Sequence, residues 1–241
     1  MSPLEETTMI RHQRNRLSLI GLACLAAGSI ALPAAAANGQ WYLRAQAVWV
    51  RPDLDWQTSP APGDLVTIDA DDAFGLSVSG EYQVSDLLGV DLGVMRAVPD
   101  ILVRSEDRAL GLSVSATDGM TMTPLSIGLN FHLTPSQRYD LYLGPYLAYV
   151  LYSDLEWRVN ETIDVGGVPV VIDETLRMSV ANDLAYGAVA GADIPLGANG
   201  WYFSAALKYM ATELDATSSE GDSENLSLDP LIVTLGVRYS F

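Results

Sequence analysis

The sequence predicts an all-β fold, an eight-stranded antiparallel transmembrane β-barrel with short periplasmic turns and long extracellular loops. Three observations lead to this prediction. Eight segments of roughly ten residues alternate apolar with polar residues, as strands with one apolar and one polar face do. The connections between them are long and short in turn, which is typical of outer-membrane barrels. The last segment, residues 231–241, alternates and ends on an aromatic ring.

The N-terminus is typical of a secretory signal peptide. Three arginines precede an apolar run over residues 17–33, and small residues at 35–37 offer a cleavage site. We therefore expect residues 1–37 to be cleaved during export and residues 38–241 to form a single barrel domain. An uncleaved anchor is the alternative, and translation from Met9 would give a more ordinary signal.

Charge and cysteine content exclude several functions. The chain has 241 residues and a net charge of −17, and removing residues 1–37 leaves ten basic and 28 acidic residues. Nucleic-acid binding requires a basic surface, so we expect no nucleic-acid partner. The one cysteine, Cys24, lies in the predicted signal peptide, so the mature barrel has no disulfide, thiol catalysis or cysteine metal site.

The strands follow one another along the chain after the signal. No later segment approaches the about 18 continuous apolar residues of a membrane helix, so only strands could cross a bilayer. The predicted strands are residues 41–50, 74–84, 88–98, 121–133, 139–152, 183–195, 201–212 and 231–241.

The long connections differ from one another. Residues 153–182 carry valine-rich halves about Gly166-Gly167, which predicts a hairpin that projects beyond the barrel and could cover its mouth. Residues 213–227 are acidic and predict an irregular loop. A soluble barrel is the alternative fold, but eight enclosed rows of large apolar side chains would overfill its interior.

Depth along the strands divides the inward-facing residues into two sets. The lower set is polar and predicts a plug of the narrow lumen, formed by Arg44, Glu81, Asp91, Asn130, His132, Tyr146, Asp193 and Arg238. Buried arginines need carboxylate partners, and Glu81, Asp91 and Asp193 are available. For most of these residues, a role in stabilising the barrel alone is the favoured interpretation.

The upper set is apolar and predicts a pocket that opens to water. Its residues are Val48, Val50, Met95, Met122, Val150, Met210 and Ile232. A mouth lined by flexible methionines suits small hydrophobic molecules, which it would bind and conduct. The alternative is a structural or adhesive barrel whose acidic loops contact a partner, without transport.

The order and spacing of several short motifs resemble the OmpW family of small outer-membrane barrels. The motifs are Val98-Pro99, Thr123-Pro124 through Phe131, Tyr142-x-Gly144, Gly187-x-x-x-Gly191, and Asp229-Pro230 through Gly236 to Phe241. The resemblance implies an eight-stranded barrel with an apolar channel that passes small hydrophobic compounds sideways into the membrane. Tyr146 departs from the small residue that the family favours, which leaves conduction and simple binding both open.

Three prolines lie in or beside predicted strands and bear on lateral release. Pro124, Pro145 and Pro230 each remove a backbone donor, which would weaken the wall, although strand ends tolerate proline in any case.

The chain end also looks like the signal that outer-membrane barrels present to their assembly machinery, carried by Gly236, Tyr239 and Phe241. The expected location is the cell outer membrane of a Gram-negative type of cell. The expected partners are outer-membrane lipid and lipopolysaccharide, the barrel-assembly machinery and a small hydrophobic solute.

Residues with catalytic potential are few. His132 is the one histidine outside the predicted signal, and no serine beside it forms a triad-like motif. Asp69, Asp71 and Asp72 could bind Ca²⁺ or bridge cations to lipopolysaccharide, or form a solvated acidic loop. We expect no enzyme, no cofactor and no dedicated metal site.

Overall fold

A computed structural model describes residues 39–59, 64–107, 112–134, 138–165, 168–197, 199–218 and 223–241. The predicted signal peptide lies outside these residues. Regular structure in the described part consists of strands, and no helix there is long and apolar enough to cross a membrane.

The described residues form sixteen strands. In chain order they are β1 (Gln40–Arg51), β2 (Asp55–Thr58), β3 (Asp64–Ala70), β4 (Ala73–Ser85), β5 (Leu88–Ala97), β6 (Asp100–Asp107), β7 (Leu112–Gly119), β8 (Met122–His132), β9 (Asp140–Tyr152), β10 (Leu155–Val165), β11 (Val168–Val180), β12 (Asp183–Pro195), β13 (Trp201–Ala211), β14 (Glu213–Ser218), β15 (Ser223–Ser227) and β16 (Leu231–Ser240).

Eight of these strands close an antiparallel barrel in the order β1-β16-β13-β12-β9-β8-β5-β4. They are the eight strands predicted from the alternation of the sequence, so the predicted fold is confirmed. Closure comes from β1 and β16, whose register runs from Tyr42 opposite Ser240 to Arg51 opposite Leu231. The ladders leave no free barrel edge, which a chain in lipid requires because backbone groups find no water there.

Side chains alternate between the outer surface of the barrel and its interior. On β4, Phe74, Leu76 and Val78 are exposed on the outside, whereas Glu81 of the other face is fully buried. Apolar residues therefore face outward and polar residues inward over the lower half, the reverse of a soluble barrel. Aromatic rings gather at the short-turn end, where the ring centroids of Trp201 and Tyr239 lie 4.8 Å apart.

The short turns join the barrel strands at one end. The turn between β12 and β13 uses Gly197 and Gly200 with φ angles of 106° and 75°. This left-handed backbone favours glycine because a Cβ atom would be strained there. The opposite end carries all the long connections.

The long connections form two further sheets, which the sequence does not predict in full. One sheet has the order β2-β3-β6-β7 and the other β10-β11-β14-β15. The predicted hairpin about Gly166-Gly167 is present as β10 and β11, which pair from Leu155 opposite Met178 to Val165 opposite Val168.

The irregular loop predicted over residues 213–227 is wrong, because β14 and β15 pair there. Apolar and polar residues alternate in this segment, although its composition is acidic. Leu214, Ala216 and Leu226 are buried against the core, whereas Glu213 and Asp215 are exposed. Burial of the alternate apolar residues therefore makes a hairpin out of a segment whose composition suggests disorder.

Candidate functional site

A cluster of charged side chains fills the lumen near the short-turn end. We call it the charged floor, and it consists of Arg44, Glu81, Asp91, Asn130, His132, Asp140, Asp193 and Arg238. It contains every residue of the predicted plug except Tyr146. The strands bring these residues together because they lie at inward positions of neighbouring barrel strands, and β9 and β16 place theirs near a turn.

Arg44 of β1 is the hub of one half of the charged floor. Its Nη1 lies 2.7 Å from Glu81 and 3.2 Å from Asp91, and its Nη2 lies 3.0 Å from Asp193. Asn130 donates a further hydrogen bond of 2.7 Å to Glu81. Charges this deeply buried need such partners, because their desolvation is otherwise very costly.

Arg238 of β16 holds the other half. It donates to Asp193, which is thereby shared by both arginines, and it lies 3.3 Å from Asp140. His132 connects the halves, since its Nδ1 lies 2.7 Å from Asp140 and its Nε2 lies 2.8 Å from Glu81. The result is one continuous polar network across the barrel, in which the removal of any shared carboxylate affects two basic side chains.

Sequence reasoning missed three participants in this network. Asp140 pairs with His132 and Arg238, and the rings of Tyr42 and Tyr142 cover the two guanidinium groups. The Arg238 carbon Cζ lies 3.5 Å from the centroid of the Tyr42 ring, a close cation–π contact. The signal was available, because all three have the inward parity of their strands.

A small polar cavity lies between the charged floor and the upper lumen. Its volume is about 20 Å³, enough for about one water molecule. The walls include Arg44, Ser79, Ser126, Tyr146 and Lys208. Tyr146, predicted as part of the plug, points into the lumen here, and its hydroxyl donates a hydrogen bond of 3.2 Å to the Tyr209 carbonyl. Water could occupy this cavity but could not flow through it as through a pore.

The seven residues of the predicted apolar pocket do come together, at the end of the lumen away from the charged floor. All are at most 8% exposed and belong to one hydrophobic cluster, and we call these seven residues the apolar column. The prediction that they face water is wrong. Side chains from the long connections, absent from the sequence-based pocket, pack on top of them: Leu54, Ile68, Ile101, Met120, Leu155, Trp157, Leu214, Leu226 and Leu228.

The residues that seal the apolar column also join the two sheets formed by the long connections. Trp157 of β10 is buried, and its indole nitrogen donates a hydrogen bond of 3.3 Å to the carbonyl of Ile101 in β6. Nearby, the Glu156 amide donates to Asp118 over 2.7 Å. On the other side the Asp53 amide donates to the Leu228 carbonyl over 2.9 Å. These contacts hold the column closed at its top.

The pairing ladder between β5 and β8 has a gap beside the apolar column. Their register is continuous from Leu88 opposite Phe131 to Val94 opposite Leu125, and resumes at Ala97 opposite Met122. The pairs of Met95 with Pro124 and of Arg96 with Thr123 are missing from this ladder. Pro124 has no amide hydrogen to donate, which accounts for the gap.

The other two prolines differ in effect. A gap in the β8–β9 ladder lies at Pro145, between the pairs Gly128 with Tyr146 and Phe131 with Leu143, level with the charged floor. Pro230 precedes β16, where its carbonyl accepts a hydrogen bond of 3.2 Å from Met210. Of these two ladder gaps, the one at Pro124 lies beside the apolar column.

The proposed assembly residues lie along β16 and its end. Gly236 pairs with Gln46 of β1, and a Cβ atom there would collide with the Ala45 carbonyl oxygen. Tyr239 and Phe241 meet edge to face with ring centroids 5.1 Å apart, and Phe241 remains 71% exposed.

Comparison with known proteins agrees with this architecture. The family model of the outer membrane protein beta-barrel domain matches residues 20–241. The chain belongs to this family. It is therefore an outer-membrane barrel, and we place the short turns in the periplasm and the long connections outside the cell. No curated protein sequence is significantly similar to it.

Several solved barrels are similar in structure. The crystal structure of OprG from Pseudomonas aeruginosa has a TM-score of 0.56 at 17% identity, over 84% of this chain and 96% of that one. AlkL, solved in DMPC bilayers, gives 0.49 at 20% identity over 89% and 95%. Outer Membrane Protein W of E. coli gives 0.47 at 18% identity over 84% and 98%. The predicted resemblance to OmpW-like barrels is confirmed as a likeness of fold, which rests on OprG.

Proposed function

We propose that this outer-membrane barrel binds small hydrophobic molecules in the apolar column and releases them sideways into the membrane between β5 and β8. The observation that carries the proposal is the position of the ladder gap. Met95 lies at the gap and Met122 borders it, and both belong to the apolar column. An apolar molecule that leaves the column there passes the outward-facing Arg96 and reaches the membrane without crossing the charged floor.

The charged floor supports a lateral rather than a vertical path. An apolar molecule moving toward the periplasm would have to separate Arg44 and Arg238 from their carboxylates, each contact being 3.3 Å or shorter. Separating buried charges costs several kcal/mol per ion, about the whole stability of many domains. The wall at Pro124 lacks two ladder pairs already and resists opening less.

For a small molecule to enter, the side chains of the apolar column must move apart, because they fill the upper lumen. Three of its seven members are methionines, Met95, Met122 and Met210, and Met120 packs on top of them. Methionine is unbranched and adapts its shape to irregular contacts, so such a core can be rearranged at lower cost than one of branched residues. Neither binding nor release requires a catalytic step, and we propose none.

A cysteine pair tests the lateral path. The mature chain has no cysteine, so Arg96→Cys with Thr123→Cys would join β5 to β8 across the gap without competing thiols. Val78→Cys with Val94→Cys is the matched control, because these residues already face each other in the intact β4–β5 ladder. Both pairs are placed in proteoliposomes, and uptake of an uncharged aromatic fluorophore is measured relative to protein-free vesicles.

We expect oxidation of the Arg96–Thr123 cysteine pair to abolish the protein-dependent uptake and a reducing agent to restore it. The control pair should leave uptake unchanged in both states. Complete cross-linking across the gap with undiminished uptake would refute the lateral path.

A substitution in the apolar column tests binding separately from release. Met122→Asp introduces an unpaired charge and should remove uptake, whereas Met122→Leu should retain it. Equal uptake by both variants would refute a role for the column.

The second candidate, a structural or adhesive barrel, is favoured by the seal over the column. Two ordered four-stranded sheets stand above the membrane, and Trp157 and Leu214 are buried between them and the barrel. Such a platform could present a partner surface without any transport. Absence of protein-dependent uptake in the unmodified chain would support this candidate.

A further inference from the structure

The net negative charge of the mature chain comes from its extracellular part. Residues 52–72, 98–121, 153–182 and 212–230 carry 22 acidic and four basic residues, whereas the rest of residues 38–241 carries six of each. The extracellular sheets therefore repel anions, and the barrel itself is neutral. Anionic groups of the outer leaflet can approach closely only where basic side chains point outward.

The six basic residues of the barrel and its turns fall into distinct places. Arg44, Arg238 and Lys208 face the lumen. Arg138 is exposed at the periplasmic turn between β8 and β9. The other two, Arg51 and Arg96, are exposed at the extracellular ends of β1 and β5, on the outward parity of their strands.

Arg51 and Arg96 flank the outer face of β4. Arg96 lies opposite Leu76, and Arg51 lies one residue beyond the pair formed by Val50 and Ala73. Neither arginine has an ion-pair partner within the described part of the chain. Two guanidinium groups are therefore available to bind anions at the extracellular end of the barrel, where most other charged residues are acidic.

The surface between the two arginines is unusually exposed. Phe74 and Leu76 of β4 are 81% and 71% accessible, more than any other large apolar side chain of the eight barrel strands. Arg51 lies above this apolar face and Arg96 is level with Leu76, so the surface combines two anion-binding groups with apolar side chains between them, as a membrane amphiphile requires. Arginine suits this position because its guanidinium binds phosphate in bidentate geometry and its stem packs on apolar surface.

The spacing indicates two phosphates rather than one. The two arginines are separated by two strand spacings, about 10 Å, and by about four residues along the strand, about 13 Å. Their side chains cannot readily converge on a single phosphate at that separation. We propose that Arg51, Arg96 and the outer face of β4 form a binding site for an outer-leaflet glycolipid with two phosphates, of the lipid A kind.

The test uses the full mature barrel in mild detergent with EDTA, which removes cation bridges between phosphates and the acidic sheets. Binding of bisphosphorylated lipid A is measured by native mass spectrometry. The variants are Arg51→Gln, Arg96→Gln and the double variant, with Arg138→Gln as the matched control for an exposed arginine at the opposite interface. Heat resistance on gels verifies that each variant is folded.

Each single substitution should weaken binding about tenfold, the loss expected for one charge-assisted contact, and the double variant more. Arg138→Gln should bind bisphosphorylated lipid A as tightly as the unmodified chain does. Monophosphorylated lipid A should bind the unmodified chain about tenfold more weakly, as the bisphosphorylated form binds Arg51→Gln or Arg96→Gln. Unchanged binding by the double variant, loss of all binding in EDTA, or equal binding of phosphatidylcholine would each overturn the proposal. The outcome is independent of solute uptake.

Discussion

Replacing Asp193 by alanine tests the charged floor most directly, because this carboxylate is shared by both buried arginines. Asp193 is fully buried and pairs with Arg44 at 3.0 Å and with Arg238 more closely. After Asp193→Ala, Arg44 keeps Glu81 at 2.7 Å and Asp91 at 3.2 Å. Arg238 keeps only Asp140 at 3.3 Å, so most of the loss falls on Arg238.

The expected loss follows from the energetics of buried ion pairs. Removing one partner of such a pair costs about 3–5 kcal/mol, because the other charge remains buried without compensation. Asp140 compensates Arg238 in part, so we expect a loss of about 3 kcal/mol in the free energy of unfolding. Asp91→Asn is the control, since Asp91 is 15% exposed and is one of three partners of Arg44. It should cost clearly less than Asp193→Ala, because Arg44 keeps its contacts with Glu81 and Asp193.

The assay is equilibrium urea unfolding of the barrel in lipid vesicles, followed by tryptophan fluorescence. A double variant, Asp193→Asn with Arg238→Gln, removes both charges of one pair and should recover part of the loss. Equal losses for Asp193→Ala and Asp91→Asn, or a double variant less stable than Asp193→Ala, would refute the assignment of Asp193 as the shared partner.

Two further predictions concern the extracellular seal and the chain end. Trp157→Ala should loosen the contact between the two extracellular sheets, because burial of this ring and its hydrogen bond to the Ile101 carbonyl contribute about 3–5 kcal/mol. Limited proteolysis of the extracellular hairpins should become faster while the barrel stays heat-resistant. Arg158→Ala, a substitution of an exposed side chain, should not change the rate of proteolysis. Phe241→Ala should lower the amount of assembled barrel in cells, because an exposed terminal ring would act through recognition rather than packing. Loss of the ring contact with Tyr239 should lower the stability of the refolded barrel by no more than about 1.5 kcal/mol. An equally large fall in refolding yield without any cellular machinery would contradict a role in recognition.

Strand parity made the barrel and most of its charged floor predictable. In a lipid-embedded barrel the outward face must be apolar, so the opposite parity of Glu81 and Asp193 is enough to place both side chains inside. The same rule applies to Asp140, whose position beside a turn made its parity less conspicuous. The pairing of individual charges depends on which strands face each other across the lumen, and parity alone does not fix that.

The extracellular sheets were beyond the reach of local sequence patterns. β3 pairs with β6, which joins residues 64–70 to residues 101–107, and such distant pairing leaves no mark within either segment. The sequence predicts that the hairpin of residues 153–182 could cover the mouth, but the joint closure of the apolar column by separate connections is unpredictable for the same reason. Trp157 and Leu214 reach it from connections that are separated by a whole hairpin of the barrel.

The proposed lateral release would take place above the charged floor. Between Leu88 and Val94 the β5–β8 ladder is continuous, and this part carries Asp91 and Asn130 of the charged floor. The gap begins only at Met95, on the side of the small cavity that faces the apolar column. Widening the wall at Pro124 therefore leaves the partners of Arg44 in place. Lateral release as proposed would therefore widen the upper wall while Arg44 and Arg238 keep their carboxylate partners.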